Sequence, residues 1–269
     1  MVYAHFITNA LIAVQALSKF KKPIFAAIGE SNIDDRKSVY PNNYFKKGIA
    51  QITGFVAVSS KLQKKLISFG VDENRIVIKP NAVDLTKFDK KDKSTMRKKY
   101  NLPQDKNIIM FTGRFIHHKG PLRILEATKG MNGIGFIFVG SGKQELLDDR
   151  IFFKGKVPSG EVAGLLSCAD LFVLPTLKEG SSNAIVEAMA CGLPIISSDI
   201  PEVRDQCESS FSILVDPMDK SAIKDAITKV IFDTSKLIEM SENALSYSKR
   251  FDLRERAKSI LKFISTDSK

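Results

Sequence analysis

Short β-branched and aromatic runs alternate along the chain with longer segments whose apolar residues recur every three or four positions. The short runs predict strands at Val2–Phe6, Ile24–Ile28, Phe55–Val58, Ile76–Ile78, Ile108–Thr112, Gly135–Val139, Ile151–Phe153, Leu171–Leu174, Ile195–Ser197 and Ile213–Val215. The segments between them have helical spacing, as at Leu62, Leu66 and Ile67. This alternation predicts β-α units around parallel sheets buried on both faces. Ser60 with Gln63 forms a capping-box pattern, and Gly70 closes the helix it opens. Ser159 precedes a helix reaching about Cys168, Asp219 precedes one reaching about Ile231, and Phe251 to Phe263 reads as a separate amphipathic helix. There is no internal repeat and no low-complexity tract.

The periodicity lapses over Lys87 to Lys99 (KFDKKDKSTMRKK), which reads as a solvated linker or connecting surface helix. The chain therefore divides into residues 1–92, residues 93–250 and a terminal helix, residues 251–269, that packs back toward the first unit. Charge divides the same way. The 269 residues carry 41 Lys+Arg against 30 Asp+Glu, but residues 1–99 hold 19 basic and 8 acidic side chains while the remainder is balanced at 22 each. Hydrophobic content of 43% with 26% charged residues excludes wholesale disorder.

Other classes fall quickly. No apolar run reaches the roughly 18–20 residues that span a bilayer. The run ALIAVQAL at residues 10–17 is short, broken by Gln15 and not preceded by basic residues, so a signal peptide is not expected. Cys168, Cys191 and Cys207 show no metal or redox spacing, which fits reduced thiols in a cytoplasmic setting. His5, His117 and His118 form no ligand cluster, and no Asp-x-Asp occurs, so no metal site is expected.

Four constellations carry chemistry. Gly113-Arg114 and Lys119-Gly120 follow the strand Ile108–Thr112 and precede a helix beginning near Pro121; free helix amides and two cations suit a phosphate or diphosphate, and a solvated basic loop is the plain alternative. Gly140-Ser141-Gly142 ends a second strand and permits close backbone approach to a ligand, although any β-α turn can use glycine. In EGSSNAIVEAMACG, residues 179–192, Ser182 or Asn183 should cap an almost wholly apolar helix bearing one carboxylate, Glu187. A carboxylate buried there needs partners, such as sugar hydroxyls; the alternative is a capping-box or dipole role in the first turn. Glu179 lies eight positions earlier, so both carboxylates could flank one ligand. The fourth piece, VIKPNAVD at residues 77–84, passes from strand to turn and suggests a hinge.

Taken together, GRFIHHKG (113–120), FVGSG (138–142), ADLFVLPTLKEGSSNAIVEAMACGLPIISSD (169–199) and VSSKLQKKLISFGVDENRIVIKPNAVD (58–84) resemble the retaining, nucleotide-sugar-dependent glycosyltransferases of family four. The order and spacing match over nearly the whole chain, and EGSSNAIVEAMACGLPII is the most specific block. The resemblance implies a GT-B-like α/β fold of two Rossmann-like domains. It implies that Arg114 and Lys119 hold the donor diphosphate, that Glu179 lies beside the donor sugar, and that the amides of Ser181, Ser182, Asn183 and Ala184 meet sugar and phosphate oxygens. Glu187 matches the residue that binds the nucleotide ribose, and Gly140 and Gly142 match the loop near the nucleotide. It further implies metal-independent hexosyl transfer with retention, a UDP-sugar as the commonest donor, and a glycan or lipid-linked acceptor in capsule, O-antigen or lipopolysaccharide synthesis.

The departures from the family pattern lie in the first unit. Relative to that pattern its domain is shorter by about 70–90 residues, leaving a sheet with an unprotected edge and an incompletely covered face. Where the family carries a cleft histidine after a strand, this chain has Ala26-Ala27-Ile28-Gly29-Glu30-Ser31, making Glu30 the candidate contact to the donor sugar and His5, one strand earlier, the weaker one. Two readings follow: a transferase active alone or completed by another polypeptide or a second copy, or a nucleotide-sugar-binding fragment without turnover. A nucleotide-sugar epimerase of the same fold is a third reading, which the EGSSNAIVEA signature disfavours. No aromatic-basic interleaving points to nucleic acid. The basic first unit, with Lys61, Lys64 and Lys65 on one helix, suits an anionic membrane surface, so a cytoplasmic protein peripheral to the membrane is expected, with a solvated lysine face as the alternative.

Overall fold

The computed structural model describes residues 1–20, 22–30, 33 and 42–266. The chain forms two α/β units built on parallel sheets, in accord with the expected fold class. The first comprises Met1–Asn81, Glu179–Ser181 and Leu253–Lys269; the second comprises Ala82–Lys178 and Ser182–Asp252.

Unit 1 begins β1 (Val2–His5), α1 (Ile7–Ala16), β2 (Ile24–Ile28), α2 (Asn42–Gln51), β3 (Gly54–Ala57), α3 (Ser60–Ser68) and β4 (Ile76–Ile78). The strands lie side by side in chain order, all parallel, with Val2 opposite Ile24, Phe25 opposite Gly54 and Phe55 opposite Ile76. Winding in one direction with right-handed crossovers places the three helices on one face. There Leu11, Val14, Phe45, Ile49, Leu62 and Leu66 pack on Ala26, Ile28, Phe55 and Ala57. Ser59, one residue before the expected cap, accepts the Leu62 amide at 3.4 Å and opens α3. The run considered as a leader candidate is the body of α1.

Unit 2 continues with α4 (Lys93–Lys99), β5 (Asn107–Thr112), α5 (Pro121–Ala127), β6 (Ile134–Val139), β7 (Ile151–Gly155), α6 (Ser159–Leu166) and β8 (Leu171–Leu174). It ends with α7 (Asn183–Ala190), β9 (Ile195–Ser198), α8 (Pro201–Arg204), β10 (Ser212–Val215), α9 (Lys220–Ile231) and α10 (Thr234–Ser248). Its sheet runs β10-β9-β8-β5-β6-β7, all parallel. Chain order therefore reverses between β5 and β8, which makes the carboxyl edge there the switch point where open α/β sheets bind ligands.

The charged segment Lys87–Lys99 differs from a solvated linker. Asp92 caps α4 through the Thr95 amide, and Arg97 is buried inside unit 2. Its guanidinium donates to the Cys168, Gln104 and Lys106 carbonyls and to Asp170 Oδ2 at 2.7 Å, a buried cation satisfied at every side.

α11 (Leu253–Thr266) returns to unit 1 and covers the sheet face opposite α1, α2 and α3. Ile260 and Ile264 bury Phe25 and Val56, with Tyr3, Val77 and Phe263 at the margin. The face expected to lie partly bare is covered at its centre by this helix. Among the described residues β1 pairs only with β2, and no helix is long and apolar enough to cross a membrane.

Candidate nucleotide-sugar site

At the carboxyl edge of unit 2, the loop after β5 carries Arg114 and Lys119, and the loop after β6 carries Gly140 and Gly142. The two loops are joined by backbone bonds, Phe115 N to the Ser141 carbonyl at 2.8 Å and Gln144 N to the Phe115 carbonyl at 2.9 Å. A Cβ on Gly142 would lie 2.2 Å from the Phe115 carbonyl oxygen, and one on Gly140 would lie 1.9 Å from that of Gly113. The glycine spacing is thus required by the packing of one loop on the other, independently of any ligand.

Arg114 is exposed and Lys119 is half-buried at the end of a one-turn 3-10 helix, His117–Lys119. That turn is tied to the exit of β8. The Leu177 amide and Thr176 Oγ1 both donate to the His118 carbonyl, at 2.7 and 3.2 Å. Arg123, buried on α5, donates to the His117 carbonyl at 2.8 Å and to the Pro175 carbonyl at 2.6 Å. Burial lowers the pKa of its guanidinium, which its two carbonyl partners hold in place. The two candidate phosphate cations are therefore carried on a braced loop beside the switch point.

α7 leaves this same edge. Ser182 caps it by accepting the Ile185 amide at 3.5 Å, and Ser182 is itself gripped by the fully buried Gln206, whose Oε1 accepts the Ser182 amide at 2.7 Å and whose Nε2 donates to the Ser182 carbonyl at 3.2 Å. Asn183 and Ala184 form the first turn. Glu187 lies one turn further and is not part of the cap, which excludes the capping-box role. Burial raises its carboxyl to about 7. Its carboxylate accepts no hydrogen bond among the described residues, so it is a desolvated acceptor at the start of an apolar helix.

The other candidates belong to unit 1. Glu30 follows β2; its Oε1 accepts the Ile7 amide at 2.6 Å and so takes the place of a cap at the start of α1, while its buried Oε2 has no partner among the described residues. The Glu179–Ser181 segment joins unit 1 at the end of β2, since a Cβ on Gly180 would lie 2.8 Å from the Gly29 carbonyl oxygen. Glu179 is buried. Ser181 is fixed by Asn81, whose amide donates to Ser181 Oγ at 2.9 Å and whose Nδ2 donates to the Ser181 carbonyl at 3.0 Å. Arg256 of α11 in turn donates to the Lys79 and Pro80 carbonyls ahead of Asn81. His5 is exposed at the end of β1, edge-on to the Tyr3 ring.

The structure thus gathers Arg114, Lys119, Gly140, Gly142, Ser182, Asn183, Ala184 and Glu187 on unit 2, and Glu30, Glu179 and Ser181 on unit 1. Sequence reading missed the residues that hold them: Arg123, Gln206 and Arg256. It also missed the buried Thr112 Oγ1, Gln144 Oε1 and Ser198 Oγ, unpartnered among the described residues, which lie at or beyond strand ends on the same edge of unit 2. Among the described residues no three His, Cys, Asp or Glu side chains are grouped as metal ligands.

Residues 92–247 match the family described as Glycosyl transferases group 1. A protein of Bacillus subtilis (strain 168) named as a teichuronic acid biosynthesis glycosyltransferase, TuaC, is 27% identical over 241 residues, covering 85% of this chain and 60% of its own length. N,N'-diacetylbacillosaminyl-diphospho-undecaprenol alpha-1,3-N-acetylgalactosaminyltransferase of Campylobacter jejuni is 25% identical over 228 residues, covering 78% of this chain and 60% of its own. The chain thus spans about three fifths of the length of these relatives. Among solved structures, Anabaena HepE in complex with UDP superposes with a TM-score of 0.86 at 18% identity, covering 98% of this chain and 78% of its own, a likeness of fold.

Proposed function

The chain belongs to the glycosyl transferases group 1 family, and from that premise we propose that it transfers a hexosyl group from a nucleotide-sugar, a UDP-sugar first of all, to a glycan or lipid-linked acceptor in surface polysaccharide synthesis. The observation that carries the reading is the α7 N-terminus at the switch point of unit 2, beside a braced loop bearing Arg114 and Lys119. Helix amides and two cations can neutralise a diphosphate as it leaves, so the reading needs no metal. Glu187 accepts hydrogen bonds from the ribose diol, which supply the partners its buried carboxylate lacks. The family resemblance assigns Glu179, the Ser181 amide and Glu30 to the transferred sugar. Transfer proceeds with retention: the acceptor hydroxyl attacks the anomeric carbon from the face the diphosphate leaves, and a departing phosphate oxygen takes its proton. The support for this last step is the family resemblance of the named residues.

Titration calorimetry with UDP, GDP and ADP tests the donor site. One of them should bind, and Arg114→Ala should weaken it about tenfold or more, which is 1.4 kcal/mol per decade. If none binds, the proposal fails. Incubation with UDP-sugars, with and without chelator, then separates turnover from binding alone.

A further inference from the structure

Arg123 carries a buried charge that the fold does not balance. The residue is 6% exposed and sits in the first turn of α5, where the peptide dipoles disfavour a cation. Two other arginines sunk into unit 2 each hold a carboxylate, Arg97 that of Asp170 and Arg150 that of Asp148, both at 2.7 Å. Arg123 instead holds the neutral carbonyls of His117 and Pro175, and its buried Nε has no partner among the described residues. The carboxylate whose charge reaches it is Glu126, one turn further along α5 and itself bonded to Lys220 at 2.8 Å.

The chain makes room for this group. Gly120 has a left-handed backbone with φ of 79°, and a Cβ there would lie 2.5 Å from Arg123 Nη2 and 2.5 Å from the Pro175 carbonyl oxygen. The guanidinium therefore lies directly behind the Lys119-Gly120 turn, between the exits of β5 and β8. Most buried ionisable groups escape the cost of desolvation by becoming neutral, but a guanidinium keeps its proton. An apolar side chain would fill the same space without that cost. A cation kept there under these conditions fits a ligand anion arriving at this edge of the sheet.

We propose that the donor diphosphate is the counterion of Arg123, which makes Arg123 a positioning residue for the phosphates. From behind the loop it adds its charge to those of Arg114 and Lys119, and through the His117 carbonyl it holds the turn that carries Lys119. The inference rests on the nucleotide-sugar reading and deepens it. Charged ligands gain from Arg123, whereas a neutral nucleoside gains nothing.

The test is titration calorimetry with UDP, or with GDP or ADP where the parent binds that one instead, across Arg123→Gln and Arg123→Lys. Both replacements can donate to a carbonyl, but only lysine keeps the charge. Arg123→Gln should lose about tenfold in affinity for the diphosphate, and Arg123→Lys, which gives up the fork but not the charge, no more than about threefold. Saturation-transfer NMR should show the matching nucleoside bound equally by the parent and both variants. Circular dichroism melts check the fold. Should Arg123→Gln not fold, Arg123→Lys against the parent decides: a loss within about threefold supports the proposal, and one of about tenfold or more overturns it. Equal losses in the two variants would show a hydrogen-bonding brace in which charge plays no part. A nucleoside lost in step with the diphosphate would show a collapsed loop. Either result overturns the proposal. A parent that binds the diphosphate, with Arg123→Gln binding it as tightly, ends this inference alone, whereas a parent that binds no nucleotide ends the donor reading with it.

Discussion

Asn81 holds Ser181, one hundred residues away in sequence, by two hydrogen bonds. Its backbone amide donates to the serine hydroxyl at 2.9 Å and its side-chain amide to the serine carbonyl at 3.0 Å. The turn that ends β4 therefore fixes the loop in which Glu179 sits.

Replacing Asn81 with Ala removes the side-chain donor and leaves the Ser181 carbonyl one partner short. A single such bond contributes about 1 kcal/mol, so stability should change little. Sugar transfer should fall about tenfold or more through loss of positioning, while nucleotide affinity stays within about twofold. Equal losses in nucleotide affinity and turnover would show that the loop serves both.

Glu187 gives a pH signature. Burial raises its carboxyl to about 7, against about 4.3 in an unfolded chain. The folded state therefore keeps the proton to higher pH than the unfolded state does, and the stabilising difference is lost as pH rises through that window. The penalty reaches at most about 4 kcal/mol and is constant above it. Glu187→Gln, which does not ionise, should gain stability relative to the parent between about pH 5 and about pH 8, read from urea midpoints. The same variant should weaken nucleotide binding, because a carboxamide accepts ribose hydrogen bonds less strongly than a carboxylate.

Gly142→Ala should destabilise unit 2 by about 1–3 kcal/mol, because the added carbon meets the backbone of Phe115 rather than a movable side chain. Nucleotide affinity should fall with it, since the displaced loop carries Arg114. A variant with parental melting temperature would show that the two loops separate freely.

Arg97→Met strands Asp170 in the interior of unit 2. Breaking such a buried pair costs about 3–5 kcal/mol, and the loss should be visible in denaturant melts. Lys93, which also bonds to Asp170, limits the damage, so Lys93→Met with Arg97→Met should cost more than either alone.

Cys168, Cys191 and Cys207 are buried, and desolvation pushes each thiol up to about 12. A thiol reagent at neutral pH should titrate none of them in the native protein and all three after unfolding.

The strands were legible because each is a short β-branched run between polar turns, and the central motifs because each is contiguous. α2 (NNYFKKGIAQ) was not legible: its apolar face is only Phe45 and Ile49, and two lysines dilute the pattern. The bracing residues were hidden for a different reason. Gln206 meets Ser182, Arg256 meets Pro80 and Arg97 meets Asp170 across 24, 176 and 73 positions, and no local spacing encodes such contacts. Arg97 lies inside a run whose charge reads as solvated, yet its guanidinium is the buried anchor of α4.

The return of α11 to the first sheet sets an order on synthesis. Phe25 and Val56 emerge from the ribosome before unit 2 is made, but the helix that buries them, through Ile260 and Ile264, is made after every strand of unit 2. Unit 2, contiguous but for residues 179–181, has all its strands before α11 exists. The first of the two sheets is thus covered only after the second is complete, with one face open to chaperones or to misassociation throughout translation of unit 2.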